Sequence, residues 1–139
     1  MKFMILVKGN AKTEKGFVYE KGVDELFAEM GGFHEEMAKA GIVRDADGLK
    51  PTSAGWRIKF KGNKSTLVDG PFTETKEIVA GYTIIDVKSR EEALAWTKRY
   101  PNPAPNGEEG EIEVRPVYQL EDFGDIPAVR EMIKQQENA

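Results

Sequence analysis

The chain has no cysteine and a single histidine among its 139 residues. The first absence removes disulfides, thiolate nucleophiles and thiolate metal sites. The second rules out a multi-histidine zinc centre within one chain. A metal site would need His34 with hard carboxylate oxygens, the weakest of the functional readings, so no metal and no organic cofactor are expected. Long apolar runs are missing as well. Nothing approaches a membrane span, and the run over residues 1–8 is too short for a signal-peptide core and lacks a small-residue cleavage pattern. A cytoplasmic location with no membrane partner is therefore the expectation. Positive charge is in deficit, with 20 Lys+Arg against 24 Asp+Glu and a net charge of -4, which argues against nucleic acid as a partner.

What is present suits one soluble domain. Hydrophobic residues make up 40% and charged residues 32%, enough apolar material for a single core beneath a charged surface. Charge is nonetheless segregated. Arg57, Lys59, Lys61 and Lys64 mark one basic hairpin, whereas Glu108, Glu109, Glu111, Glu113, Glu121, Asp122 and Asp125 make the last third acidic. Solvated faces explain this most simply, and a self-complementary dimer contact is the functional alternative.

Periodicity sets the elements. Lys2 to Lys8 reads as a central strand, apolar on both faces. Val23, Leu26, Phe27, Met30, Phe33, Met37 and Ala40 recur at helical steps, and Gly41 supplies the stop. Val43 to Ser53 contains an Asp-Ala-Asp-Gly run that fails as a calcium loop, because the first and last ligand positions would be Val43 and Ala54; it reads as a turn. Trp56 to Lys61 alternates cleanly, Gly62-Asn63 is a two-residue hairpin signal, and Lys64 to Asp69 returns. That register sets Ile58 opposite Leu67 and Trp56 opposite Asp69, so Asp69 is expected on the apolar face. Gly81 to Val87 reads as a strand, Ser89 to Glu92 as a capping box opening a helix, and residues 101–110 as a loop or flap. Glu111 to Leu120 reads as a last strand held to an edge by Pro116, and Asp125 to Gln136 as a short terminal helix. Trp56 and Trp96 are expected in the core.

The densest segment is Asp69-Gly70-Pro71-Phe72-Thr73-Glu74-Thr75-Lys76-Glu77. Together with Gly81-Tyr82 and Glu113-Val114-Arg115-Pro116, it resembles the DGPF branch of the YCII-related family of small bacterial proteins. The resemblance spans residues 1–120, leaving 121–139 as an extension that packs on the domain or on a partner chain. It implies an α+β fold, ferredoxin-like and forming a dimeric α+β barrel, here with an extra hairpin strand, and hence a homodimer. It also implies a polar cavity between helices and sheet. One relative in the wider family eliminates chloride from a chlorinated hydroquinone with a His and Asp pair, and DGPF domains occur beside sigma factors of the extracytoplasmic class.

The candidate catalytic pair is accordingly Asp69, which opens the motif, and His34, on the helix where the wider family carries its histidine. Each has a plainer alternative: His34 as a core or dimer-contact residue, and Asp69 as a cap on its own Gly-Pro turn. Tyr82, Arg115 and Phe72 are the candidate substrate-binding residues. For Arg115 the plainer account is pairing with a nearby glutamate, and for Phe72 an anchor that pins the loop. Joined in one cavity, an Asp-oriented imidazole would abstract a proton from a small phenolic or enolisable ring, the work of a cofactor-independent isomerase or lyase. The alternative is a non-enzymatic homodimer that binds a small-molecule ligand or a regulatory protein.

Overall fold

The structure is a computed structural model that describes residues 1–72 and 74–139; Thr73 of the motif and the side chain of Thr75 lie outside the described residues. The chain runs β1 (Lys2–Lys8), α1 (Val23–Lys39), β2 (Val43–Gly48), β3 (Trp56–Lys61), β4 (Lys64–Asp69), β5 (Val79–Asp86), α2 (Arg90–Lys98), β6 (Ile112–Pro116) and α3 (Pro127–Glu137). The fold is mixed α+β. Its main sheet is antiparallel in the order β2-β5-β1-β6, and β3 with β4 forms a separate two-stranded sheet. With that hairpin set aside, the elements follow the order strand, helix, strand, strand, helix, strand, with α3 appended.

The core lies where one face of the sheet meets α1 and α2. Phe3 and Ile5 from β1, Ile85 from β5, Phe33 and Met37 from α1, and Ala93 from α2 are buried together. The rings of Trp96 and Tyr100 meet Phe33 edge-on, at centroid separations of 6.0 and 5.5 Å. Trp96 therefore packs against the core as expected. The α2 N-terminus is capped by Ser89, whose Oγ accepts from the Glu92 N–H at 3.1 Å, but the box is not closed: Glu92 Oε2 takes the Lys88 N–H at 2.8 Å in place of that of Ser89.

Strand alternation assigns the opposite sheet face. Register sets Met4 opposite Arg115 and Ile84, and Leu6 opposite Glu113 and Tyr82, so these side chains point away from the helices. Their apolar members are half-buried, and neither α1 nor α2 covers this face.

The structure corrects several expectations. Val43 to Gly48 is a strand, not a turn. It forms an edge of the main sheet beside β5 with an irregularity between Val43 and Asp45, and an edge position tolerates the short polar residues that obscure alternation. The last strand ends at Pro116, which cannot donate to a ladder, and Tyr118 beyond it is exposed. Trp56 is 64% exposed because β3 and β4 form a sheet of their own, exposed on both faces, and Ile58, Phe60 and Leu67 are exposed with it. Helix α3 rests on the turn at Leu120–Phe123 and buries Val129, while Ile133 is half-buried and Met132 is exposed.

Candidate functional site

A cavity of about 430 Å³ lies between α1 and the end of the sheet where β5 and β2 meet. Its walls include Val7, Leu26, Phe27, Met30, Tyr100 and Pro103, with His34 and Thr83 as the polar groups of its inner wall. Asn106 holds the 101–110 loop over the start of α1 by donating to the Lys21 carbonyl at 2.8 Å. It does so from a positive φ of 58°, against a glycine, Gly22, where a Cβ would collide with the Asn106 side chain.

Within the cavity His34 is held at both ring nitrogens. Nδ1 lies 3.0 Å from the Met30 carbonyl one turn earlier, and Nε2 lies 3.0 Å from Thr83 Oγ1. A carbonyl only accepts, so Nδ1 carries the hydrogen, and in the neutral ring Nε2 is the acceptor, taking its bond from the Thr83 hydroxyl. Thr83 is buried, facing the core from the middle of β5. The Tyr100 phenol lies near enough to the Thr83 hydroxyl to feel it. Burial pushes the Tyr100 pKa above the usual tyrosine value, and the Thr83 contact opposes this. The Tyr100 ring also meets His34 edge-on at 5.9 Å. No buried side-chain nitrogen or oxygen among the described residues lacks a partner.

The expected site residues are only partly brought together. His34 and Tyr82 both border this cavity, but alternation along β5 carries the Tyr82 phenol to the far face, where it donates to Asp45 at 2.9 Å. That bond, with lesser effects from burial and from the charges of Asp45 and Asp47, raises the Tyr82 pKa. Arg115 also sits on the far face, exposed, 3.8 Å from Glu113. Asp69 pairs with Trp56 as the register required, yet it is exposed on the separate hairpin and is not part of the cavity wall. Phe72 is half-buried outside the cavity beneath the Arg57 guanidinium, 3.9 Å from its ring centroid.

The motif has a different set of partners. The Gly70 N–H donates to the Gly55 carbonyl at 3.0 Å, and the Phe72 N–H donates to Thr52 Oγ1 at 3.1 Å. Thr52 in turn hydrogen-bonds to Glu14 through both its N–H and its hydroxyl. A Cβ at Gly70 would overlap the Thr52 carbonyl, so the first glycine of the motif is needed for close backbone approach. Sequence reasoning missed Thr52, Thr83 and Tyr100. Nothing local in the sequence marks a bond spanning 49 residues.

The family model of the YCII-related domain matches residues 1–121. The chain belongs to the YCII-related family. Among curated relatives, this family member is 31% identical over 111 residues to an uncharacterized protein of Rhizobium meliloti (strain 1021), covering 79% of this chain and 87% of that one. Among the described residues of the YCII-related chain, no cluster of carboxylate or imidazole groups could hold a metal ion, and no helix is long and apolar enough to cross a membrane.

Proposed function

We propose that this YCII-related protein binds a small ring compound in the His34 cavity and moves a proton there, as a cofactor-independent isomerase or lyase working as a homodimer of ferredoxin-like α+β subunits. The observation that carries this reading is the state of His34. It is the only imidazole in the chain, its Nδ1–H is committed to the Met30 carbonyl, and its Nε2 accepts a hydrogen bond at an apolar-walled cavity. That is the arrangement of a general base whose tautomer is fixed. In this reading the Met30 carbonyl does the orienting work expected of Asp69, and the motif around Asp69 is a scaffold that ties the hairpin to Thr52 and Glu14. The pocket volume lies within the range of small-ligand sites.

The test is deuterium exchange at the carbons flanking the carbonyls of cyclohexane-1,2-dione in D2O, followed by NMR. The protein is expected to accelerate exchange, and His34→Gln to return it to the buffer rate while moving the melting temperature little. Exchange that persists in His34→Gln would sink the proton-transfer role. A second reading, a homodimer that binds a ligand without transforming it, is favoured by the full hydrogen-bond satisfaction of the imidazole. Binding of the dione without accelerated exchange would select it.

A further inference from the structure

Helix α2 borders a second cavity, a trough of about 330 Å³ between the helix and the β6 edge of the sheet. Ala93, Trp96 and Tyr100 give this part of the chain its contact with the core, and Arg90, Leu94 and Thr97 recur at steps of four and three residues along the stripe beside it. Across the trough lie Phe3 of β1 and Val114 of β6. Val114 pairs with the buried Ile5, so it points to the helix side of the sheet. Phe3 and Ala93 make a buried apolar floor, and Leu94 is 42% exposed along one side. No described residue of this lining belongs to the His34 cavity or to α3. Polar groups are few. Thr97 gives its hydroxyl proton to the Ala93 carbonyl at 2.9 Å, and the Met1 ammonium is engaged by Asp86 and the Val87 carbonyl. Arg90 is different. Arg44, Arg99, Arg115 and Arg130 each pair with a carboxylate and Arg57 lies over the Phe72 ring, whereas Arg90 has neither kind of partner among the described residues.

An apolar trough with an unpaired guanidinium at one end fits a ligand that is apolar along its length and anionic at its head. From Arg90 to Thr97 the helix rises about 10 Å, the length of an extended aliphatic chain of about eight carbons. We propose that this trough binds a medium-chain aliphatic carboxylate, its head on Arg90 and its tail against Phe3, Leu94 and Val114. Arg90 is exposed, so the head keeps part of its hydration while the tail leaves water. The site is separate from the His34 cavity and independent of the chemistry proposed there.

The probes are octanoate, octanol and octylammonium, titrated into the intact protein and followed by calorimetry and proton–nitrogen NMR. Octanoate is expected to shift the backbone amides of Leu94 and Val114 and to leave the His34 ring resonances in place. It should bind about fivefold more tightly than octanol, the upper end for an exposed charge pair, because a guanidinium can hold a carboxylate by two parallel bonds. Octylammonium should bind more weakly than either. From butanoate to octanoate, affinity should rise by up to about fourfold per methylene, and it should level off once the tail outruns the trough. Arg90→Gln should bring octanoate down to the octanol level. Leu94→Glu, which sets a carboxylate one turn from Arg90, should abolish octanoate binding while helical circular dichroism shows the fold intact. Octanol or octylammonium binding as tightly as octanoate, or Arg90→Gln without effect, overturns the carboxylate assignment. A shift at His34 in place of Leu94 and Val114 would move the ligand to the other cavity and overturn the site, as would octanoate that fails to bind at millimolar concentration.

Discussion

A hydroxyl taken out of water costs free energy unless it is hydrogen-bonded, and Thr83 shows how one side chain meets that cost. Its proton goes to His34 Nε2, so replacing it with isosteric valine leaves that nitrogen without its donor. Thr83→Val should lower unfolding free energy by about 1–3 kcal/mol, read from urea denaturation, because a buried acceptor is left unpaired while packing is preserved. Tyr100 gives a pH-dependent counterpart. The unfolded chain releases the phenol proton near the ordinary value of 10.0, whereas burial makes the folded chain hold it to higher pH. Above that ordinary value the native state binds more protons than the unfolded state, so stability contributed by Tyr100 is intact below it and lost as pH rises through the folded pKa. Tyr100→Phe should remove this component. The stability gap between wild type and variant is expected to be constant through neutral pH and to narrow above about pH 10. The hydrogen-bonded Tyr19 and Tyr82 also have raised pKa values, but they titrate in both proteins and cancel in the difference. A gap that stays constant through alkaline pH would contradict the account.

At the level of elements, helix caps and hairpin register follow local rules. Ser89→Ala removes the acceptor for the Glu92 N–H and is expected to cost about 0.5–2 kcal/mol, measured as a shift in denaturation midpoint. The β3–β4 register was legible pair for pair, from Lys61 opposite Lys64 to Trp56 opposite Asp69, because a two-residue turn leaves the strands one alignment. What the hairpin packs against was not legible. Alternation tells which residues share a face, not whether the protomer covers that face, so Asp69 and Trp56 were placed on the right side of the ribbon and in the wrong environment. The β2 strand escaped notice because its pairing with β5 is carried by backbone groups, with no apolar alternation to announce it. His34 could be found as the one imidazole on an apolar helix stripe. Its partners Thr83 and Tyr100 come from β5 and from the residues just after α2, and only the tertiary fold joins them.

At the scale of the whole molecule, two apolar faces among the described residues bear on assembly. One is the hairpin face, where Ile58 is 50%, Phe60 79% and Leu67 62% exposed beside Trp56. The other is the sheet face bearing Met4, Leu6 and Ile84, edged by Asp45, Asp47 and Glu113. Exposed clusters of large apolar side chains mark contact surfaces. In the proposed homodimer, a two-fold axis would lay the hairpin of each subunit on the open sheet face of the other and cover both surfaces with one repeated contact. Sedimentation velocity on the full chain should therefore give twice the 15.5 kDa subunit mass. The double variant Ile58→Lys/Phe60→Lys should sediment as a monomer. Its helical circular dichroism should be unchanged, because the hairpin forms a sheet of its own outside the main core. A wild-type chain that sediments as a monomer at micromolar concentration, or a double variant that stays dimeric, would contradict this geometry. The binding tests at His34 would be unaffected, because the hairpin is not part of that cavity.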